Sequence, residues 1–380
     1  MNLKDYITYL LPKVVLFKAV RNNLVKPVTP IILNFSVTAA CQSKCKTCNI
    51  GMKWLENPVR SRQDLSLDEI ERIFKNIGPI YFFNISGGEP FLRKDIADII
   101  ELACRHLKPR FIHSPTNAIT SEQIRDRVRE SLNIIHRYDS SIQFTVKPSI
   151  DGIGAVHDAV RGVKGNFKRL EKTISYLKEI EKEFDNFHLE LGTVISNFNK
   201  EHLSELEDYV HSLGVQSYRN EIAEQRAEFF NVGEDITPDA DTYKTIIEEF
   251  SNKIKKSMKK KRRLARVTES MRLVYYELVV KILQERRQVI PCLGGISNAH
   301  INYDGQVWPC AVLAYDQPMG SLRDFDYDFR RLWQSHQAGQ VRQYIKDGNY
   351  ACPLANQWYS NILSSPKYML KTVFNIFRYG

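Results

Sequence analysis

The alternation of short apolar runs with amphipathic stretches between residues 31 and 225 constrains the fold of this chain more than any other feature. Six runs rich in Val, Ile, Phe and Tyr are predicted as strands, and several are almost continuously apolar, as strands buried on both faces are. They cover residues 31–37, 80–86, 110–115, 142–150, 188–196 and 215–223. Helical periodicity fills the gaps, beginning with a capping box at residues 66–69.

Strands that alternate with helices imply parallel βαβ units with right-handed crossovers. The expected fold is therefore α/β, with a partial (β/α)6 barrel as the natural closure and an open sheet as the alternative. In either case the carboxyl ends of the strands meet at one edge, where active sites of such folds are built.

The pattern divides the chain into five segments. A basic amphipathic lead-in at 1–28 precedes the α/β domain at 29–230. A charged helical region follows at 231–288, then a smaller α+β extension punctuated by Gly, Cys and Pro at 289–360, and an amphipathic tail at 361–380.

Charge and hydropathy narrow the function class. The formal net charge is +10, and nine Lys and Arg residues fall within 253–266. Runs of this kind are usually solvated helix faces, and no nucleic-acid-binding motif accompanies this one, so we predict no specific nucleic-acid partner. No apolar stretch reaches the roughly 18 residues of a membrane span, and we find no secretory signal. We expect a cytoplasmic protein.

The cysteines point to metal chemistry, because a reducing compartment disfavours disulfides. Cys41, Cys45 and Cys48 form a C-x3-C-x2-C pattern directly after the first predicted strand. Iron–sulfur clusters usually take four thiolates, so three local ones would leave one iron open to another ligand. A structural zinc site with a remote fourth ligand, or simply packed thiols, are the alternatives.

Further motifs end the later strands. The second strand ends in Gly87-Gly88-Glu89-Pro90, in which glycines would let a ligand approach the backbone and a carboxylate would suit an ammonium group. Alone, this sequence would be an ordinary turn. The third, fourth and fifth strands end in Thr116-Asn117-Ala118, Ser149-Ile150-Asp151-Gly152 and a segment containing Ile195, and a His-Asp-Ala-Val-Arg-Gly stretch occupies 157–162.

In this order the motifs resemble those of the radical S-adenosylmethionine (SAM) superfamily over about residues 31–225. The resemblance implies a [4Fe–4S] cluster on Cys41, Cys45 and Cys48 that cleaves SAM reductively to a 5′-deoxyadenosyl radical, which takes a hydrogen atom from a substrate. It implies an electron donor such as flavodoxin or ferredoxin. It also implies that SAM is bound by Gly87, Gly88, Glu89, Asn117, Ser149, Asp151 and Ile195. Two positions depart from the family pattern: Ala118 replaces a glycine, and Thr47 replaces an aromatic residue that touches adenine.

Cys292, Cys310 and Cys352 lie in a second frame, in which an Asp304-Gly305 turn joins two short strands. This frame is similar to the SPASM or shortened twitch extension of radical SAM enzymes, which holds auxiliary [4Fe–4S] clusters. Ala355 stands where a full twitch has its last cysteine, so an auxiliary cluster here would have three cysteine ligands and either a different fourth ligand or an open iron. The alternative is three buried thiols without a cluster. Cys104 reads as an ordinary core thiol.

The substrate is harder to predict. No catalytic acid or base is assigned, and His113, Asp304 and Arg219 are candidates by location only. Apolar residues of the tail recur at helical spacing among basic ones, and the lead-in has the same character. Such helices often pack on their own domain. The alternative is an interfacial membrane helix, which predicts peripheral attachment to the anionic inner face of a membrane. On that alternative the expected substrate is a lipid or a lipid-linked molecule, which is our first choice of substrate class.

Three alternatives remain open. Many relatives with this extension modify peptides, and the twitch-like cysteine spacing is similar to that of a sugar-alcohol dehydrogenase. From another class, the chain would be a non-catalytic metal-binding scaffold, which would have no need of a site for the SAM ammonium group.

Overall fold

A computed structural model of the chain describes residues 10–380 except Gln216, Arg262 and Leu354, and leaves out the side chains at 263, 264 and 355–357. Parts of four predictions therefore lie outside the described residues. They are the first nine residues of the lead-in, one position of the sixth strand, part of the basic run, and the side chain of Ala355.

The strands of the described chain form one sheet in the order β6-β5-β4-β3-β2-β1-β7-β8-β9. The first seven are mutually parallel, and the last two run antiparallel to their neighbours. They are β1 (Ile32–Ser36), β2 (Phe82–Ser86), β3 (Phe111–Thr116), β4 (Gln143–Pro148), β5 (Phe187–Ile195), β6 (Ser217–Ile222), β7 (Asn298–Ile301), β8 (Gln306–Trp308) and β9 (Gly320–Ser321). All six predicted strands are confirmed, and the sheet is open, with β6 and β9 as its edges.

Helices connect the parallel strands and continue after them. The described helices are α1 (Leu11–Arg21), α2 (Ile50–Glu56), α3 (Leu67–Ile77), α4 (Ile96–Leu102), α5 (Ser121–Tyr138), α6 (Ala155–Arg161), α7 (Asn166–Glu183), α8 (Leu203–Ser212), α9 (Ala240–Ser257), α10 (Arg263–Glu285), α11 (Phe329–Trp333), α12 (His336–Lys346), α13 (Ala355–Ser364) and α14 (Pro366–Tyr379). Among them no helix is both long and apolar enough to cross a bilayer.

Helix α3 shows how the local sequence specifies the α/β layers. The Ser66 hydroxyl accepts a hydrogen bond from the Glu69 amide (3.3 Å), and the Glu69 carboxylate accepts one from the Ser66 amide (2.8 Å), so the predicted capping box is confirmed. The buried face of the helix carries Phe74, whose ring packs edge-to-face against Phe35 of β1 and Phe83 of β2. These contacts fix the helix over the first βα unit.

The hairpin predicted around Asp304 is present as β7 and β8. The Asp304 carboxylate accepts hydrogen bonds from the Gln306 amide (3.1 Å) and from the Asn302 side chain (2.9 Å), which stabilises the turn. Strand β7 also pairs with β1 in parallel, with Asn34 opposite His300. The sequence did not predict this pairing.

The chain forms two compact units assembled from separated segments. One contains Thr29–Thr237 and Asn298–Ala338, and therefore the whole sheet. The other is made of Met1–Val28, Pro238–Ser297 and Gly339–Gly380, and its elements among the described residues are helices. The linear segment boundaries given above remain predictions.

Candidate functional site

The cysteine loop, residues 41–48, leaves the carboxyl end of β1 and is held by backbone hydrogen bonds to other segments of the sheet-bearing unit. These bonds run from Lys44 N to Arg161 O (3.2 Å), from Lys46 N to Val160 O (2.9 Å), from Asn49 N to Phe229 O (2.9 Å) and from Glu89 N to Ala40 O (2.7 Å). The loop is thereby tied to the end of α6, to the segment after β6 and to the turn after β2.

Asp64 fixes the point at which the chain enters the loop. Its carboxylate accepts hydrogen bonds from the Thr38 hydroxyl (2.5 Å) and the Ala39 amide (3.1 Å). The Arg93 guanidinium donates to the carbonyl of Val37 (2.6 Å) just before them. Two charged side chains thus hold the backbone directly upstream of Cys41.

Glycines allow the loop to pack closely. A Cβ on Gly88 would lie 2.1 Å from the Ala40 carbonyl oxygen and 3.0 Å from Cys41 Cβ, and one on Gly87, whose φ is +123°, would lie 2.7 Å from the Thr38 oxygen. A Cβ on Gly51 would lie 1.8 Å from the Ser43 carbonyl oxygen, and one on Gly162 would lie 2.1 Å from the Lys44 carbonyl oxygen. Close approach of the cysteine loop therefore requires glycine at Gly87 and Gly88, and the predicted contact of these two residues with SAM stays a prediction.

Glu89 lies beneath this loop and is buried. Its carboxylate accepts hydrogen bonds from the Asn117 amide (2.6 Å), the Thr116 hydroxyl (2.9 Å) and the Phe91 amide (3.2 Å). Burial raises the pKa of Glu89 to about 7, although these donors favour its charged form. The Asn117 side-chain amide lies 3.9 Å from Cys41 Sγ, so the motifs of the second and third strands meet at the first cysteine.

A largely buried cation, whose side chain is 12% exposed, faces the cysteines. Arg161, at the end of α6, donates to the Asp151 carboxylate (3.1 Å), whose other oxygen accepts from the Val194 amide (2.9 Å). Burial lowers the pKa of Arg161, but negative charge on Cys45, Asp151 and Cys41 outweighs burial and raises it above its ordinary value. For the Cys41 thiol, burial raises the pKa to about 12, and the charge of Arg161 acts in the opposite direction, towards the thiolate.

A pocket of about 190 Å³ opens at the carboxyl ends of β3 to β6 and is lined in part by Thr47, Ser149 and Gly192. Thr47 directly precedes Cys48, so the pocket lies beside the cysteine loop. Ile195 is fully buried at the end of β5.

Trp54 is the first aromatic residue after the cysteine loop. Its indole donates a hydrogen bond to the Ser61 hydroxyl (2.8 Å).

The donor set fits a polynuclear cluster. The loop carries three thiols, and a largely buried guanidinium favours the deprotonation of Cys41 and Cys45. Thiolates are the ligands of iron–sulfur clusters. Among the described residues, no three His, Cys, Asp or Glu side chains converge as one metal ion requires. A cubane cluster does not need such convergence, since its thiolates bind different iron atoms.

Comparison with known proteins agrees with this geometry. The profile of the radical SAM superfamily matches residues 35–213, and that of SPASM, an iron–sulfur cluster-binding domain, matches residues 292–357. Together they cover more than half of the chain. The chain belongs to the radical SAM superfamily. It is a radical SAM enzyme with a C-terminal SPASM extension, as predicted, and enzymes of this kind use [4Fe–4S] clusters, SAM and a reductant.

Curated relatives span most of this radical SAM enzyme. An AdoMet-dependent heme synthase of Oleidesulfovibrio alaskensis is 25% identical over 354 residues, covering 87% of this chain and 81% of that protein. The antilisterial bacteriocin subtilosin biosynthesis protein AlbA of Bacillus subtilis is 23% identical over 364 residues, covering 90% of this chain and 70% of AlbA. Relatives at this distance leave the substrate open.

Solved structures share the fold. Streptococcus suis SuiB bound to S-adenosylmethionine superposes with a TM-score of 0.58 at 16% identity, over 90% of this chain and 74% of SuiB. The predicted α/β fold with a C-terminal extension is therefore confirmed.

All three C-terminal cysteines of the radical SAM enzyme lie within the SPASM match and are buried. Cys292 and Cys352 belong to the helical unit, and Cys310 belongs to the sheet-bearing unit, directly after β8. The Gly294 amide lies 3.2 Å from Cys292 Sγ, and the Asn361 side-chain oxygen accepts from the Leu293 amide (2.9 Å). The first loop of the extension is thus fixed by α13.

The sequence patterns included Arg161 only as part of the 157–162 motif, and they gave no indication that Asp64 contacts the cysteine loop. A signal for Arg161 was present, because an arginine at the end of the short segment after strand four precedes a glycine that must pack on the cysteine loop. Asp64 carried no signal, since it follows a short 3-10 helix, Pro58–Gln63, and belongs to none of the motifs.

The three residues named above by location, as candidates for a catalytic acid or base, make separate structural contacts in the radical SAM enzyme. His113 Nδ1 hydrogen-bonds to Asn84 Oδ1 (2.6 Å) in the sheet, and burial lowers its pKa to about 3. Arg219 pairs with Glu190 at 2.8 Å. Asp304 stabilises the β7–β8 turn, as described above.

Proposed function

We propose that Cys41, Cys45 and Cys48 hold the SAM-binding [4Fe–4S] cluster, and that the motifs around them hold SAM. When bound, the cluster supplies one electron that cleaves the sulfonium of SAM. The observation that supports this assignment is the packing of Gly88 and Glu89 directly against the cysteine loop.

The residues of the chain have separate roles in this proposal. Glu89 is the partner of the SAM ammonium group, positioned by Asn117, and Arg161 is the cation available to the SAM carboxylate. Ser149, Asp151 and Ile195 complete the SAM site, with Asp151 acting through Arg161. Gly87 and Gly88 belong to the SAM site as well, and they also admit the backbone of the cysteine loop. Cys292, Cys310 and Cys352 hold the auxiliary cluster, and flavodoxin or ferredoxin donates the electron.

Calorimetry of SAM binding tests this assignment. Glu89→Gln keeps the shape and the hydrogen-bonding size of the side chain but loses the charge, so we expect SAM to bind at least tenfold more weakly while the iron content stays unchanged. Exposed Glu56→Gln is the matched control. Equal SAM affinity of Glu89→Gln and the wild-type protein would show that the carboxylate has another role.

We infer further that the enzyme works at an anionic membrane surface on a lipid or lipid-linked substrate. The observation that supports this is the orientation of α14. Its buried positions are the polar residues Thr372 and Asn375, and the Thr372 carbonyl accepts from the Ser270 hydroxyl (2.6 Å). Four of its large apolar residues are exposed instead: Leu370 by 71%, Val373 by 42%, Phe374 by 58% and Phe377 by 84%. Met369 and Ile376 are half-buried.

Basic side chains surround the end of this helix within the same unit. The Lys255 ammonium lies 5.6 Å from the Tyr379 ring centroid, and the Arg266 guanidinium donates to the Lys259 carbonyl (2.9 Å). A Cβ on Gly380 would lie 3.2 Å from Arg266 Cδ. Exposed aromatic residues beside clustered cations are the composition of an interfacial membrane helix. Each Lys or Arg near an anionic surface contributes about 1 kcal/mol of attraction.

Vesicle flotation tests the membrane proposal. We expect the protein to float with phosphatidylglycerol vesicles, to float poorly with phosphatidylcholine vesicles, and to lose binding at raised salt. Phe374→Ser with Phe377→Ser should abolish flotation, because it removes the apolar anchor. Val232→Ser, which changes an equally exposed apolar residue of the other unit, should not. Wild-type protein that stays unbound on anionic vesicles would refute the proposal.

Peptide modification is the second candidate, and the relatives favour it. AlbA belongs to the biosynthesis of a bacteriocin, and SuiB has been solved with its precursor peptide SuiA, with a TM-score of 0.58 at 17% identity. A short precursor peptide encoded beside this enzyme would support peptide modification, whereas neighbouring glycosyl- or prenyltransferases would support a lipid-linked substrate.

A further inference from the structure

The pocket beside the cysteine loop is strongly charged. Three cations line it, namely Lys147 near the end of β4, Arg219 in β6 and Arg226 in the segment that follows β6. Glu221 and Glu224 line it as well. A pocket of this character suits an ionic group far better than an apolar one, because charged walls lose hydration when an apolar group covers them.

Two of the cations are engaged in close ion pairs. Arg219 Nε lies 2.8 Å from a Glu190 oxygen, and Arg226 Nε lies 3.2 Å from a Glu224 oxygen. Lys147 differs: among the described residues its one ion pair is with Glu221, with Nζ 3.7 Å from the carboxylate oxygen and so beyond hydrogen-bonding distance. An incoming anion at Lys147 would therefore displace only a loose contact.

The position of the Lys147 ammonium is fixed by the packing of its stem. A Cβ on Gly192 would lie 2.9 Å from Lys147 Cδ, 3.1 Å from Cγ and 3.2 Å from Cε, so the methylene chain lies directly across the glycine of β5. The side chain is only 18% exposed. A lysine held in this way has lost most of its rotamer freedom before a ligand arrives, which lowers the entropic cost of binding.

We infer that Lys147, with Arg219 beside it, binds an acidic group of the substrate, either a carboxylate or a phosphate. This inference rests on the proposed function, since it takes the pocket beside Thr47 as the place where a substrate meets the radical chemistry. The acidic group fixes one end of the substrate in the pocket, and Lys147 is then a specificity-determining residue. The carboxylate of SAM has the same chemistry as an acidic group of the substrate. The experiment must therefore distinguish binding of the substrate group from binding of SAM.

The test compares anion binding with SAM binding in the reconstituted protein. Anion binding is measured by calorimetry with inorganic phosphate, acetate and neutral acetamide, each with and without SAM. We expect at least one of the two anions, and no acetamide, to bind to the wild type and to the exposed-lysine control Lys168→Gln. Binding should weaken at least tenfold in Lys147→Gln and recover in Lys147→Arg. The SAM affinity should stay unchanged in all variants.

Gly192→Ala provides a second variant that keeps the lysine charge. Its methyl group would displace the Lys147 stem, so anion binding should weaken although the cation is still present. Equal anion affinity in the wild type and Lys147→Gln overturns the inference. It is also overturned if Lys147→Gln weakens SAM binding by the same factor, because the cation then serves SAM. Failure of the proposed function is distinct, since it would appear as loss of SAM binding in the wild type while anion binding persists.

Discussion

The cysteine loop at residues 41–48 and the three C-terminal cysteines are held in different ways. The loop is one contiguous segment fixed along its length by backbone hydrogen bonds, by Asp64 and by glycines that admit its backbone. Cys292, Cys310 and Cys352 come from three separate segments, and the loop around Cys292 depends on single side chains such as Asn361. A site held by many backbone contacts tolerates less geometric variation than one held by a few side chains. We therefore expect the cysteine loop to be rigid and the site of the three C-terminal cysteines to be adaptable.

Removal of one cysteine from each set should give the largest difference between the two regions. Cys45→Ala should abolish 5′-deoxyadenosine formation from SAM, since the SAM-binding cluster loses a ligand. Cys292→Ala should still form 5′-deoxyadenosine and contain about four fewer irons than the wild type. Anaerobic reconstitution, iron quantitation and chromatography of the nucleoside provide the measurements.

Cys104→Ala is the control for these variants, because Cys104 is a buried thiol outside both sets. It should retain the full iron content. If Cys45→Ala continued to cleave SAM, the assignment of the two regions would be wrong.

A methyl group placed under the cysteine loop should have the next largest effect. In Gly88→Ala the added Cβ would meet the Ala40 carbonyl oxygen at 2.1 Å, and neither backbone can yield easily. We expect the free energy of unfolding to fall by about 1–3 kcal/mol, as for overpacked cores, and the iron content to fall with it. Urea unfolding and iron quantitation check both effects.

Gly339→Ala is the matched control for the glycine variant. Gly339 lies in α12, and a Cβ there would meet no atom within 4 Å. This substitution should stabilise the protein by about 0.5–1 kcal/mol through helix propensity. A Gly88→Ala protein as stable and as rich in iron as this control would mean that the loop is adaptable after all.

Removal of a single anchor from the C-terminal region should have the smallest effect. Asn361→Ala leaves the buried Leu293 amide without its acceptor, at a cost of about 1–2 kcal/mol of unfolding free energy. Asn361→Asp keeps an oxygen at that position and should lose less. Thermal unfolding of the two variants in parallel provides the comparison, and equal stability of the alanine variant and the wild type would show that other contacts hold the Cys292 loop.

Local patterns were sufficient to predict much of the fold. The period of the apolar residues located β1 to β6, and the Ser66–Glu69 pair located the start of α3, because each depends on a few consecutive residues. The pairing of β7 with β1 was not predictable, since it joins residues more than 260 positions apart in the chain and leaves no local mark. Assembly of the helical unit from three distant segments was hidden for the same reason.

The residues of the candidate site also fall into two groups, those that local sequence predicts and those that it does not. Cys41, Cys45 and Cys48 were identifiable because spacing within a short segment determines which side chains a loop can present to one metal centre. Glu89 was identifiable from the Gly-Gly-Glu-Pro sequence that ends the second predicted strand. The salt bridge from Arg161 to Asp151, the hold of Asp64 on the loop and the placement of Lys147 across Gly192 became apparent only in the tertiary structure. They bring together residues from different strands and helices.

The sequence by itself determined the α/β class, the cysteine pattern and the order of the strand-end motifs, because these follow from local periodicity and from the chemistry of neighbouring side chains. Only the tertiary structure decided that the two motif glycines admit the backbone of the cysteine loop, that a largely buried guanidinium faces the thiols, and that Phe374 and Phe377 of α14 are exposed. These outcomes depend on which distant segments pack together, and packing is settled by the whole chain.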